Sequence, residues 1–276
     1  MEIPTGLLLL FIGILASGYG TIVGAGGGFL FVPALLLIFK MDPQVAAGSG
    51  LAIVLINSLS GVLGYSKQRK IDYRSGITLG MGALPGSIIG VWLLNMYSSV
   101  FFYFVFASLL VALGIFLLTK NLPAPLSKKQ ALRVQSDEGI DLIEADWSSQ
   151  AAATIEAPRL QVKWLVPLGF LLGILSSYLG IGGGWLLVPI LIYAFKVPPH
   201  HATATSIFTL CLYTAVGVFT QIFYGNIDWI TVFWGGFGVI IGSQLGVALS
   251  KKIPGKLIIQ MLSFLLVIIG IRMFFT

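Results

Sequence analysis

The feature that most constrains this chain is a succession of apolar runs, several of which approach the length that crosses a bilayer. About 20 apolar residues in a helix span the hydrocarbon core. Hydrophobic residues make up 57% of the 276 and charged residues only 9%, and nearly all the charge falls between the runs. A soluble domain of this size would carry far more charge. The sequence therefore predicts an all-α polytopic protein of the cell membrane, which is the inner membrane in a Gram-negative organism.

The apolar runs form two copies of one unit. Shifting the sequence by 156 positions aligns residues 13–120 with 169–276 without a gap. Matching residues include Gly24, Gly26, Gly27, Gly28, Val32, Pro33, Asp72, Gly86 and Gly90 in the first copy, and Gly180, Gly182, Gly183, Gly184, Val188, Pro189, Asp228, Gly242 and Gly246 in the second. We predict a first membrane repeat at 1–120, a cytoplasmic polar linker at 121–162 and a second membrane repeat at 163–276.

Each copy begins with a glycine-rich break. The apolar stretch from 6 to 39 would exceed about 50 Å as one helix, so GAGGG at 24–28 is the natural place for it to fold. The following segment, FLFVPALLLIF, has 11 residues and can cover about half the bilayer. Each half is predicted to contain this broken or re-entrant helix and three spanning helices, at about 45–66, 75–96 and 100–119, and at about 201–223, 230–250 and 255–275.

The basic residues of short loops predict the orientation of the two copies, because such loops stay in the cytoplasm. In the first copy the loop SKQRKIDYR is basic and NMYSS is uncharged, whereas in the second copy YGNIDW lacks basic residues and SKKIPGK carries three lysines. The positive charge thus changes phase between the copies. This change predicts two inverted-topology repeats, with both termini outside and the linker inside.

The glycine-rich breaks favour an anionic ligand. Backbone without helical pairing inside a membrane must be buried in protein or line a polar cavity. A helix that starts after the break points its free N–H groups and its partial positive charge at the same place. The small-polar stretches DPQVAAGSG and PPHHATATS follow each short helix and add hydroxyl donors. The candidate substrate-binding residues are Gly24, Gly26, Gly27, Gly28, Ser49, Asn57, Gly180, Gly182, Gly183, Gly184, Thr203, Thr205 and Ser206.

Structural roles for the same residues stay open at this point. The glycines could allow close helix packing, and the hydroxyls could form interhelical hydrogen bonds. Tyr213 and Gln221 are further polar side chains within an apolar helix. Asp72 and Asp228 are predicted to cap the helices that follow them, and Asp42 before Pro43 has the pattern of a helix cap. The pair His200 and His201 is either solvated or coupled to protons.

Other functional classes lack their residues. The net charge of +6 is spread over loops without a basic face, which argues against a nucleic-acid partner. No predicted span contains Asp or Glu, which argues against a metal-cation site. The single Cys211 allows no internal disulfide. There is no pair of carboxylates and no nucleophile with a base, so we expect neither a catalytic residue, a cofactor nor an enzymatic activity.

The motifs GAGGGFLFVPAL and GIGGGWLLVPIL, each followed by a small-polar stretch and then by KIDY or NIDW, resemble the sulfite exporter TauE/SafE family, also called TSUP. The resemblance covers nearly the whole chain outside the linker. It implies transport of small, often sulfur-containing anions such as sulfite or sulfonates, with the family motifs on 24–33 and 180–189 and the small-polar stretches on 46–50 and 202–206. The first copy reads AAGSG where the second reads ATATS, so the two hydroxyl sets are unequal.

The leading hypothesis is a secondary transporter with an anion site between the two broken helices, opened alternately to either side of the bilayer. The alternative is an anion-selective channel, or a permease for another small organic anion. Uptake and export, the coupling ion and the exact anion stay open. The sequence is compatible with a homodimer and with coupling to protons, but no residue requires either.

Overall fold

The computed structural model describes residues 3–121 and 162–250, with isolated positions between 252 and 272. The regular structure in this part of the chain is helical: α1 Ile3–Val23, α2 Gly28–Leu37, α3 Pro43–Lys67, α4 Tyr73–Met96, α5 Ser99–Asn121, α6 Val162–Leu179, α7 Gly184–Tyr193, α8 Pro199–Tyr224 and α9 Trp229–Ser250. Six of these helices are long and apolar enough to cross a membrane. The predicted all-α membrane protein is therefore confirmed. The predicted linker and most of the helix predicted at 255–275 lie outside the described residues.

The glycine-rich breaks are confirmed in both copies. Helix α1 ends at Val23, and α2 begins at Gly28 and has only 10 residues. Helix α7 begins at Gly184, 156 positions after Gly28, and also has 10 residues. The turns require glycine because Gly24, Gly26, Gly180 and Gly182 all have φ between 71° and 81°, where side chains are disfavoured.

Helix α2 turns back along the first half of α3. A Cβ placed on Gly28 would lie 2.3 Å from Val54 Cγ2, and one placed on Gly50 would lie 2.1 Å from Val32 Cγ2. The two helices therefore run antiparallel, and the N-terminus of α2 lies beside the middle of α3. Helix α2 is thus a short helix that folds back along α3, and the glycine break lies beside the middle of α3 in the helical bundle.

The largest helix–helix interfaces join a helix of one copy to a helix of the other. Helix α1 of the first copy packs mainly against α9 of the second, and α6 of the second packs mainly against α4 of the first. Glycines make this close approach feasible. Three of them on α4 lie against carbonyl oxygens of α6, namely Gly82, Gly86 and Gly90 against Val166, Phe170 and Ile174. Their equivalents Gly238, Gly242 and Gly246 on α9 lie against Leu10, Ile14 and Gly18 of α1.

Helices α3 and α8 occupy equivalent positions in the two copies and run antiparallel to each other. A Cβ on Gly217 would lie 2.7 Å from Leu51 Cδ2, and a Cβ on Gly61 would lie 3.0 Å from Ile207 Cγ2. As the number rises along α3, the number of the contacting residue on α8 falls. The two contacts are also equivalent under the 156-residue offset. The contacts between α3 and α8 are thus related by the repeat, with the two helices pointing in opposite directions.

The predicted cap of α4 is confirmed. Asp72 Oδ1 accepts hydrogen bonds from the backbone N–H groups of Arg74 and Ser75, at 3.1 and 3.2 Å. Asp228 does the same for α9, where its Oδ1 accepts from Ile230 N at 3.2 Å and its Oδ2 from Thr231 Oγ1 at 2.6 Å. The predicted cap at Asp42 is wrong for the side chain, which makes no capping hydrogen bond. Only the Asp42 carbonyl oxygen accepts, from Ala46 N–H at 2.8 Å.

Replacing Asp72 with alanine should lower the free energy of unfolding by about 1 kcal/mol, the usual effect of losing an N-cap side chain. For a protein of this size, this corresponds to a fall of about 3 °C in melting temperature. Asp42→Ala is the matched control, because the Asp42 side chain makes no capping bond, and its melting temperature should not change. Thermal unfolding of both purified variants in detergent checks the prediction. Equal losses from the two variants would contradict it.

Candidate functional site

The two glycine-rich breaks meet in the middle of the molecule. A Cβ placed on Gly184 would lie 2.1 Å from the carbonyl oxygen of Gly24, and one placed on Gly28 would lie 3.0 Å from the carbonyl oxygen of Ile181. Residues 24–28 and 180–184 are all buried. The structure therefore brings the eight predicted glycines together, with the backbone of one break against the backbone of the other. Their role in close packing is thereby shown, and a ligand role is a separate question.

Both short helices begin at this junction. Helix α2 starts at Gly28 and α7 at Gly184, and the preceding residues Gly27 and Gly183 supply no side-chain cap. The N-terminus of a helix carries unpaired N–H groups and a partial positive charge. Two such ends converge here from the two copies. The junction therefore combines the partial positive charge of two helix ends, although Gly28 N–H already donates to the carbonyl oxygen of Gly26.

The hydroxyls of Ser49 and Thr205 occupy equivalent positions and make equivalent bonds to the opposite copy. Ser49 Oγ accepts from the backbone N–H of Asp228 at 2.9 Å, and Thr205 Oγ1 accepts from the backbone N–H of Asp72 at 3.0 Å. Each lies in the second turn of its helix, α3 or α8. Because these helices are antiparallel, the Ser49–Asp228 contact and the Thr205–Asp72 contact lie at opposite ends of the molecule. Each joins one copy to the helix cap of the other.

Two other predicted residues lie directly beside the first break. Ser206 Oγ donates to the carbonyl oxygen of Gly24 at 2.8 Å. A Cβ on Gly24 would lie 2.8 Å from the Cα of Thr203. The Thr203 hydroxyl is buried and has no hydrogen-bond partner. An unpaired buried hydroxyl is costly, so this position is a candidate for a ligand contact.

Asn57 and its equivalent Tyr213 make different contacts near the two breaks. The Tyr213 hydroxyl accepts the backbone N–H of Gly183 at 2.7 Å and thus fills one donor of the second break. One end of the Asn57 amide contacts the hydroxyls of Ser17 and Thr21 on α1, and the other end is buried without a partner. The predicted inequality of the two halves extends to these residues. A phenol thus contacts the backbone of the second break where the first break has an amide nearby. Unpaired buried polar atoms lie beside both breaks, since Trp185 Nε1 and Tyr178 OH next to the second also have no partner.

Sequence reasoning placed Tyr213 outside the candidate set and did not single out Ser17 or Thr21. The 156-residue offset could have found Tyr213, since it stands where the first copy has Asn57. Ser17 and Thr21 offered a weaker signal, being hydroxyl residues one turn apart near the end of α1. His200 is half-buried and His201 is exposed, both on the first turn of α8.

Where the structure describes burial, the buried polar side chains are uncharged. They are serines, threonines, asparagines and one glutamine, together with the polar groups of buried tyrosines and a tryptophan. Hydroxyl and amide groups can donate to an anion without a fixed negative charge that would repel it. A bound anion near the junction would therefore meet hydrogen-bond donors and helix N-termini, with no carboxylate among the buried residues that the structure describes.

Comparison with known proteins agrees with these features. Residues 9–273 match the family model described as "Sulfite exporter TauE/SafE". "Probable membrane transporter protein YunE" of Bacillus subtilis is 29% identical over 98% of this chain and 97% of its own length. "Probable membrane transporter protein MJ0441" of Methanocaldococcus jannaschii is 26% identical over 96% of this chain and 94% of its own. No solved structure matches the chain. With the match extending over nearly all of its length, the chain belongs to the sulfite exporter TauE/SafE family of membrane transporters.

Proposed function

We propose that this protein is a secondary transporter of a small anion of the sulfur oxyanion or sulfonate class. The observation that carries the proposal is the meeting of the two glycine breaks, with Gly184 against Gly24 and the N-termini of α2 and α7 at one place. Helix N-termini bind oxyanions through free N–H groups and the helix dipole. The family name supports the sulfur-containing class, since it refers to a sulfite exporter.

The two copies would then insert with opposite orientation. The antiparallel pair α3 and α8 supports this orientation, as do the exchanged interfaces of α1 with α9 and α4 with α6. In this orientation the Thr205–Asp72 contact would lie on the cytoplasmic side and the Ser49–Asp228 contact on the outer side, because the loop after α3 is basic and the loop after α8 is uncharged. Transport proceeds by movement of the two halves around the junction.

The two hydroxyl contacts are suited to act as gates, with Ser49–Asp228 closing the outer end and Thr205–Asp72 closing the cytoplasmic end. An outward-open state must separate the Ser49 end of the copies, and an inward-open state must separate the Thr205 end. Both hydrogen bonds are formed in this structure, which therefore corresponds to a state closed at both ends. Each bond contributes to one closed gate only, so the two should bias the equilibrium between outward-open and inward-open states in opposite directions.

Ser49→Ala and Thr205→Val should shift this equilibrium in opposite directions. A net hydrogen bond is worth about 1 kcal/mol, which is about a fivefold change in population. Ser49→Ala favours the outward-open state, so the KM measured from outside should fall and the KM from inside should rise. Thr205→Val should do the reverse. Sulfite uptake by intact cells and by inverted membrane vesicles measures the two values. Changes in the same direction for both variants would contradict the gate assignment.

The function itself is tested with purified protein in proteoliposomes. Sulfite, sulfate, thiosulfate, sulfoacetate and formate are offered as substrates, with and without a pH gradient. Saturation and stimulation by substrate on the opposite side identify a carrier, whereas a channel shows neither. Transport of a cation with none of these anions would overturn the proposal. Transport of some other substrate that none of the five anions inhibits would also overturn it.

A further inference from the structure

Three amide side chains form a connected cluster at the end of α8, apart from the glycine junction. Asn95 lies in the last turn of α4, Gln221 lies in the last turn of α8, and Asn226 lies in the loop that leads to α9. Asn226 Nδ2 donates to Asn95 Oδ1 at 3.1 Å and to Gln221 Oε1 at 2.8 Å. Asn95 Nδ2 donates to the carbonyl oxygen of Val91 at 2.8 Å. The cluster therefore joins α4 of the first copy to α8 of the second.

The hydrogen bonds of this cluster fix the orientation of each amide. The Val91 carbonyl can only accept, so the atom of Asn95 that faces it is the nitrogen, and Asn95 Oδ1 faces Asn226. Asn226 must then present its nitrogen to Asn95. The same nitrogen contacts Gln221, so the facing atom of Gln221 is its oxygen. Gln221 Nε2 is thereby left over, and it is buried without any partner.

An unpaired amide nitrogen in a fully buried position is unusual. Gln221 has no exposed side-chain surface. Its two N–H donors gain nothing in the closed state and lose the hydrogen bonds that water would give. A ligand that accepts a hydrogen bond from Gln221 Nε2 would explain why an unpaired donor is kept here. Carbonyl, hydroxyl and anionic oxygen atoms can all accept from it, and an anion gives the strongest such bond.

The surroundings of the cluster connect it with one gate. The backbone oxygen of Asn226 lies so close to Gly48 that a Cβ there would be 2.2 Å away. Gly48 precedes Ser49, whose hydroxyl accepts from Asp228, two residues after Asn226. Separation of the Ser49–Asp228 contact must therefore move the loop that holds Asn226. Gln221 Nε2 would become accessible in the same movement.

The opposite end of the molecule carries different residues at the equivalent positions. Tyr65 stands in place of Gln221 and Lys70 in place of Asn226. The Tyr65 hydroxyl already donates to the carbonyl oxygen of Thr21 at 2.8 Å. One end thus has a lysine and a hydrogen-bonded tyrosine at these positions, and the other end has neutral amides with one unused donor.

We infer that Gln221, oriented by Asn226 and Asn95, is an anion-binding subsite at the α8–α9 end of the molecule. Its Nε2 donates to an oxygen atom of a small oxyanion when that end is open, before the anion reaches the glycine junction or after it leaves. The inference rests on the proposed function. It adds a second, neutral recognition point on one side only, which the repeat symmetry by itself would not predict.

The experiment compares Gln221→Met, which keeps the length of the side chain and removes its donors, with wild type. Sulfite transport is measured from both faces, in intact cells and in inverted membrane vesicles. On the α8–α9 face the KM should rise about tenfold, as expected for loss of a hydrogen bond to a charged group. The maximal rate and the KM on the opposite face should not change. Gln221→Glu should raise the same KM further, because its carboxylate repels the anion.

Gln244→Met is the matched control. Gln244 Nε2 already donates to the carbonyl oxygen and the hydroxyl of Ser60, both at 2.8 Å, so the same substitution should leave both KM values unchanged. If wild type transports sulfite and Gln221→Met has the wild-type KM on both faces, the subsite is wrong and the proposed function stands. Equal changes on both faces indicate a structural role and also overturn the subsite. If wild type transports no member of the anion panel, the proposed function fails and the subsite fails with it.

Discussion

Replacing Gly184 with alanine should abolish transport and destabilise the protein. The added Cβ would lie 2.1 Å from the carbonyl oxygen of Gly24 and 2.9 Å from the Cα of Ala25. These are backbone atoms of the opposite break, so they cannot rotate away as a side chain would. Overpacking usually costs 1–3 kcal/mol. With a backbone obstacle we expect about 3 kcal/mol, together with separation of the two breaks that form the proposed anion site.

Gly236→Ala provides the control for this substitution. Gly236 also lies in a helix, but its added Cβ would meet only the end of the Ile56 side chain, at 3.1 Å. It should keep wild-type sulfite transport in proteoliposomes and a melting temperature close to wild type. Normal transport by Gly184→Ala would contradict the direct contact of the two breaks.

Thr203→Val separates packing from ligand binding at the same junction. The substitution keeps the shape of the side chain and removes a hydroxyl that has no partner in the protein. Its thermal stability should therefore not fall, while sulfite transport should fall if the hydroxyl binds the anion. Wild-type transport by Thr203→Val would remove this hydroxyl from the site.

Much of the helix pattern could be predicted from the sequence because glycine, proline and loop charge mark helix ends. The break at 24–28 and the beginning of α7 at Gly184 followed from glycine runs at a fixed offset. The observed α3 and α4 differ from their predicted ends by two residues or fewer. Asp72 and Asp228 were predicted as caps because each precedes an apolar run. Asp42 has the same pattern, yet its side chain makes no capping hydrogen bond, although its carbonyl oxygen accepts the first helical N–H as those of Asp72 and Asp228 do.

The choice of partners among the helices could not be predicted in the same way. Helices that are apolar all round show no periodic face that identifies a neighbour. The packing of α1 against α9 and of α6 against α4 depends on which glycines fit against which carbonyl groups. The four-residue spacing of Gly82, Gly86 and Gly90 was a usable signal for a close helix interface, but it does not name the partner.

The hydroxyls were the least predictable part of the candidate site. Ser49 and Thr205 were expected to donate to an anion, and the structure has each of them accepting a backbone N–H from the opposite copy. Their role depends on an approach between residues that are 179 and 133 positions apart in the sequence. Gln221 was recognised as polar within an apolar helix. That its nitrogen is unpaired could not be predicted, because this depends on the hydrogen bonds that orient the amides of Asn226 and Asn95 in the folded protein.

Gly86→Ile and Gly242→Ile should each prevent stable folding, and to a similar extent. A Cβ on Gly86 would lie 2.2 Å from the carbonyl oxygen of Phe170, and a Cβ on Gly242 would lie 2.2 Å from that of Ile14. Isoleucine adds three further carbon atoms beyond this Cβ, so the helices must separate. We expect the melting temperature in detergent to fall by about 10 °C or more, from overpacking against backbone. Monodisperse protein should be lost with it.

Met81→Ile on the same helix is the control, because Met81 is 66% exposed on the outer face of α4 and should accept isoleucine without loss. The comparison between Gly86 and Gly242 carries more information than either variant alone. These glycines are equivalent under the repeat, and each lies in an interface that joins one copy to the other. Equal falls in melting temperature would mean that the same contact, made once in each of the two interfaces, stabilises the packing of the copies. A large loss from one variant and none from the other would contradict that arrangement, because the breaks at the centre would then be held in position from one side only.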